Sequence, residues 1–205
     1  MDTMTLIGSH RLLEHPFYRR WEAGQLSGAE LALYAEQYRH FEAQLPSFLE
    51  GLSDLVDGQA RALVEANLAD EVGDEVTHLA LFEDYAESVG AGQAAATPAM
   101  AALVALYAEV LRRGDGAYGV GVLLGYEVQA ADVAASKGEA LLGAYGLAPR
   151  ACRFWQLHAE LEVEHAAWSL RAAEGLDEST VTAGARASAA AWWAFLDERE
   201  ALVAA

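Results

Sequence analysis

The chain has 205 residues, long enough for one domain with a substantial core, and its formal charge of −18 argues against direct binding of nucleic-acid phosphates. One cysteine, Cys152, excludes an internal disulfide framework. No basic-then-apolar leader opens the sequence and no run of about 18 apolar residues lacks charge, so a cytoplasmic protein without a membrane span is expected.

The punctuation predicts about seven helices in one all-α domain over 1–205. A first covers 3–14 and stops before His15-Pro16, since proline disfavours helix in the residue before it. Ser27 and Glu30, in SGAE, form a capping box that opens a second helix to about residue 55, kinked near Pro46. A third is expected over 59–88, ending in VGAGQ. Thr97 and Pro98 supply a cap and a first-turn proline for a fourth, to about residue 113. The fifth covers about 117–144, where glycines imply close packing or local distortion. Pro149 opens a sixth to about residue 173, and Asp177 the last, to about residue 202. Ala and Leu dominate, few residues are β-branched, and the loops are short; a helical bundle follows.

The sixth helix carries the stretch HAELEVEH. His158, Glu162 and His165 stand at i, i+4 and i+7, on one stripe of a helix that also holds Phe154, Trp155, Leu157, Leu161 and Trp168. Buried without partners, these three groups would be costly, and a metal ion removes that cost by taking imidazole nitrogen and carboxylate oxygen together. The third helix, NLADEVGDEVTHLALF, puts Glu71, Asp74, Glu75 and His78 on one broad face. Two turns separate Glu71 from His78, a span of about 10 Å, long for one ion but suited to two. Glu75 and His78 form the i, i+3 pair used in di-iron bundles, so Glu71 and Glu75 are alternatives for one role. In the fifth helix Glu127 is a lone acid within GVLLGYEVQAA, and charged residues are seldom buried unpaired. Nitrogen and oxygen ligands without cysteine suit iron or manganese better than structural zinc. The plainer alternative is three separate surface faces in an acidic protein.

Lys137 is the only lysine; every other cationic side chain is arginine. Only lysine offers an amine that can lose its proton and act as a nucleophile. Cys152 reads as a small buried apolar residue, His10, His15 and His40 as surface or satisfied residues, and Arg39 and Gln44 as candidates to line a pocket.

This layout resembles the heme-oxygenase-like fold of TenA, PqqC and the heme-oxygenase-like di-iron oxidases, and within it the group of the Chlamydia protein associating with death domains, the CADD-like proteins. HPFYRRWEAGQLSGAELALYAEQY is similar to the first-helix signature shared by all these branches. The more specific likeness is the ligand set Glu71, His78, Glu127, His158, Glu162 and His165, with Glu162 standing where Asp is common in that group. The resemblance implies an oxidase with two transition metals, Fe/Fe or Fe/Mn, that uses O2 and an external reductant and forms a homodimer. It implies the making of para-aminobenzoate for folate, with Tyr18 as sacrificial ring, Lys137 as nitrogen donor, and Tyr34, Tyr38 and Tyr126 around the site. Two alternatives share the fold: oxidation of an external small molecule by the same centre, and metal-free hydrolysis of aminopyrimidines as in TenA thiamine salvage. Cys152 does not match the catalytic cysteine of that last branch.

Overall fold

Nine α-helices and one short 3-10 helix, with no strand, make up the described residues, 3–73 and 76–202, of the computed structural model. The helices are α1 Thr3–Ile7, α2 Pro16–Glu22, α3 Gly28–Ser53, α4 Gly58–Val72, α5 His78–Ser88, α6 Pro98–Arg113, α7 Gly116–Gly143, α8 Pro149–Ala172 and α9 Glu178–Ala201; the 3-10 helix is Leu12–Glu14. None of the described helices is long and apolar enough to cross a membrane.

The all-α bundle is as expected, but the count of seven is low for two local reasons. The first predicted helix ends at Ile7, where Gly8 takes φ +59, and the chain then makes a separate seven-residue α2. His15 caps α2 by accepting a hydrogen bond from the Phe17 N–H at 3.1 Å, with Pro16 at the first helical position. The predicted helix 59–88 is in fact two. α4 stops at Gly73, whose φ of 57° and ψ of 164° belong to a region that only glycine occupies readily. A side chain there would also collide with the Val76 carbonyl oxygen. Thr77 then caps α5 by accepting from the Ala80 N–H at 3.1 Å.

The capping box at the head of α3 is present: Ser27 Oγ accepts from the Glu30 N–H at 3.3 Å, and Glu30 returns to the Ser27 N–H at 2.8 Å. Thr97 stands at the cap position of α6 but its hydroxyl is used elsewhere, donating to Glu198 on α9 at 2.5 Å.

α7 is the central rod, packed along its length by α8 and α9. Its glycines explain the closeness. A methyl group on Gly121 would meet the Val181 carbonyl oxygen, and one on Gly125 the carbonyl oxygen of Ala185, so the α7 and α9 backbones touch directly. α3, α5 and α8 pack against one another through aromatic residues. Tyr38 stacks on Phe82 at 5.2 Å between ring centroids, and Trp155 meets Tyr38, Phe82 and Tyr85 edge-on.

Candidate metal centre

Four helices, not three, carry the six predicted ligands into the interior. Glu71 ends α4, His78 begins α5, Glu127 lies mid-way along α7, and His158, Glu162 and His165 line one stripe of α8. All six are buried. The estimate of two turns between Glu71 and His78 does not hold, because the helix breaks at Gly73 and the two side chains meet. Glu71 Oε2 accepts from His78 Nδ1 at 3.0 Å. Asp74 and Glu75, the latter an alternative to Glu71, lie outside the described residues.

The side chains fall into two adjoining groups. In one, ligand atoms of Glu42, Glu71, His78 and His158 lie within 4.8 Å of one another; in the other, those of Glu127, Glu162 and His165 do. Glu42, on α3, was missed by the sequence reading. Its signal was the one noticed for Glu127, a single acid on an apolar stripe, here between Tyr38, Phe41 and Leu45.

Neighbouring groups fix the imidazoles. His158 Nδ1 donates to the Phe154 carbonyl at 2.8 Å, which turns Nε2 toward the centre. His165 Nε2 donates to Asp70 at 3.1 Å, leaving Nδ1 on the side of Glu162. A carboxylate behind a ligating histidine is the arrangement that sets tautomer and basicity in metal sites. Asn67, one turn before Glu71, donates to Glu127 Oε1 at 2.5 Å.

The electrostatics are those of carboxylates short of cations. Burial, then the Glu162 charge, raises Glu127 to about 8. Burial, with Glu71 and Glu162 nearby, pushes Glu42 well above the carboxylate range. Burial opposes ionisation of Glu71 too, but the His78 hydrogen bond and the surrounding imidazoles hold it below its ordinary value. Burial also lowers His158, whereas for His165 the Glu162 and Asp70 carboxylates outweigh burial and raise it to about 10. One oxygen each of Glu42, Glu127 and Glu162 has no hydrogen-bond partner although fully enclosed. Three orphaned buried carboxylate oxygens beside three imidazoles form a donor set that divalent iron or manganese fits, and that is expensive without a cation.

Further along α7, aromatic rings pack closely around Lys137, which is 1% exposed. Its Nζ sits 4.6 Å from the ring centre of Tyr18, 4.7 Å from Tyr34, 5.1 Å from Tyr38 and 4.2 Å from Trp155. The amine donates to Tyr34 Oη at 2.6 Å, and Tyr34 Oη shares a second hydrogen bond with Tyr18 Oη at 2.9 Å. Burial alone depresses the Lys137 amine well below its ordinary value. Tyr38 and Tyr126 share a hydrogen bond at 2.8 Å, and Tyr34 stacks on Tyr38 at 5.6 Å. Burial raises all four of these phenols, so each keeps its proton.

The remaining candidates stand apart. Arg39 binds Glu83 and the Gly92 carbonyl, and Gln44 is exposed, so neither lines this space. Cys152 is a buried core residue, and His40 pairs with the Ala94 carbonyl near the surface. His15 is buried rather than exposed, satisfied by its cap and by Asp197 at 3.0 Å.

Known proteins resemble this chain in sequence and in fold. Residues 32–197 match the family described as iron-containing redox enzymes of heme-oxygenase type. A 4-aminobenzoate synthase of Nitrosomonas europaea is 31% identical over 94% of this chain and 87% of that protein. Two solved structures share the fold. A CADD-like protein of unknown function from Nostoc punctiforme superposes with a TM-score of 0.77 at 19% identity, over 93% of this chain and 89% of that one. A TenA homolog from Pseudomonas syringae superposes with a TM-score of 0.79 at 12% identity, over 96% and 90%. Identity that low carries the fold alone, whereas the family match covers most of the chain. The chain belongs to the iron-containing redox enzymes of the heme-oxygenase-like fold.

Proposed function

We propose that the protein makes para-aminobenzoate from its own side chains, Tyr18 supplying the ring and Lys137 the nitrogen. The observation that carries this reading is the shared hydroxyl of Tyr34, which holds both reacting residues at once, with Nζ 4.6 Å from the Tyr18 ring centre. The names of the 31%-identical Nitrosomonas protein and of three chlamydial relatives support the same product.

Glu71, His78, Glu127, His158, Glu162 and His165 would hold two ions, Fe/Fe or Fe/Mn. Bound there, the metals supply oxidising equivalents from O2 with electrons from an external reductant. The chain does the rest. Burial shifts Lys137 toward the neutral amine, the form whose lone pair is nucleophilic. The aromatic walls keep water from the reacting ring. Tyr126, next in sequence to Glu127, is linked to Tyr18 by its hydrogen bond with Tyr38, the Tyr38–Tyr34 stack and the Tyr34–Tyr18 hydrogen bond, a continuous run of phenols.

The test is intact-mass measurement before and after exposure of iron-loaded protein, with and without manganese, to reductant and O2. Para-aminobenzoate in the filtrate, with mass loss mapped to Tyr18 and Lys137 and no product from Tyr18→Phe or Lys137→Arg, is expected. O2 consumption by a protein of unchanged mass would overturn self-sacrifice and point to an external substrate.

A further inference from the structure

One member of the first ligand group is unused by the proposed chemistry. Glu42 is 2% exposed, and its Oε1 has no hydrogen-bond partner. Its carboxylate reaches within 4.8 Å of ligand atoms from Glu71, His78 and His158. Pro46, one turn further on, has no N–H to give the Glu42 carbonyl, so the α3 ladder is interrupted at this residue. A cavity of about 120 Å³, lined in part by Glu42, Pro46, Glu71 and Thr77, adjoins the two carboxylates. Packing alone gives no reason for a carboxylate here, since its apolar neighbours on α3, Tyr38, Phe41 and Leu45, offer Oε1 nothing.

We propose that Glu42 is a seventh ligand, binding through Oε1 the ion held by Glu71, His78 and His158; this rests on the two-ion reading above. Charge balance favours it. Two divalent ions leave one positive charge in excess over Glu71, Glu127 and Glu162, and a fourth carboxylate cancels it. A neutral cluster is the least costly one to enclose in an apolar interior. The two positions then differ in kind. One ion has two carboxylates and two imidazoles, the other two carboxylates and one imidazole, so the first position binds more tightly and fills first.

The test is anaerobic titration of metal-free wild type and Glu42→Gln with Co(II) against a competing chelator, with the Co(II) absorption bands recorded and folding checked by circular dichroism. Wild type is expected to take up two ions, the first more tightly. Glu42→Gln should weaken the first by at least about tenfold and shift its bands, leaving the second unchanged. Unaltered affinities and bands in the folded variant overturn the assignment of Glu42 and leave the six-ligand reading standing. Wild type that takes up no metal overturns both. Should the variant not fold, a crystal structure of wild type with Mn(II) decides. A Glu42 oxygen about 2.0–2.3 Å from the ion supports the assignment, and one outside the coordination sphere overturns it.

Discussion

Two buried residues contribute to the pH behaviour of the metal-free protein with opposite signs. The Lys137 amine is depressed by burial, so between its folded and unfolded values the folded chain binds fewer protons, and its contribution to stability rises with pH. Lys137→Met is therefore expected to stabilise the protein at pH 7, by about 1–4 kcal/mol, with the gain shrinking as pH approaches about 10.4. Urea unfolding across a pH series measures it, and no gain at pH 7 would refute the cost. Glu127 is raised to about 8, by burial first and then by Glu162. The folded chain keeps a proton that the unfolded chain loses above about 4.3, so this contribution is complete at low pH and is lost as pH rises through about 8. Metal-free Glu127→Gln, neutral throughout, should gain on wild type between pH 5 and 8 by up to about 1.4 kcal/mol per pH unit. A flat difference would mean that Glu127 is ionised in the folded state.

At the scale of elements, the turn between α4 and α5 makes the first ligand group possible. Without the break at Gly73, Glu71 and His78 would stand two turns apart on one rod. Gly73→Ala forces a side chain into a glycine-only conformation and against the Val76 carbonyl. It is expected to cost about 1–3 kcal/mol in urea unfolding and to weaken metal uptake together with the His78–Glu71 contact. A variant with unchanged stability and uptake would show that the turn tolerates another shape. The same turn marks where the sequence stopped being readable. α6 to α9 were legible because prolines, acidic caps and glycines punctuate long apolar periods, and α3 because Ser27 and Glu30 announce it. The sequence around Gly73 is helix-forming on both sides, and a lone glycine is compatible with a continuous helix, so nothing local declared the break. α2 was hidden for the opposite reason. Its seven residues are too few for a period, and they are helical because Phe17, Tyr18 and Trp21 find burial against α7 and α3. The ligand stripe of α8 was visible because it repeats on one face. Glu42 was not, since one acid among many in an acidic chain acquires meaning only when another helix brings histidines to it.

In the whole molecule, α7 joins the ligand cluster to the buried lysine. Glu127 faces the carboxylate and histidine cluster, and Lys137, ten residues on, stands about 15 Å further along the axis among the aromatic rings. Direct backbone contact with α9 at Gly121 and Gly125 packs that rod tightly, and Glu127 and Lys137 are both carried on it. Sealing the sole lysine of the chain has a practical outcome. An acylating reagent directed at primary amines can find this side chain only while the bundle is open. The rate at which Lys137 becomes acylated therefore counts global openings of the native protein. Ions that bind only the closed form should slow that rate in proportion to their occupancy, so a single mass-spectrometric peak becomes a clock for how tightly the fold is shut.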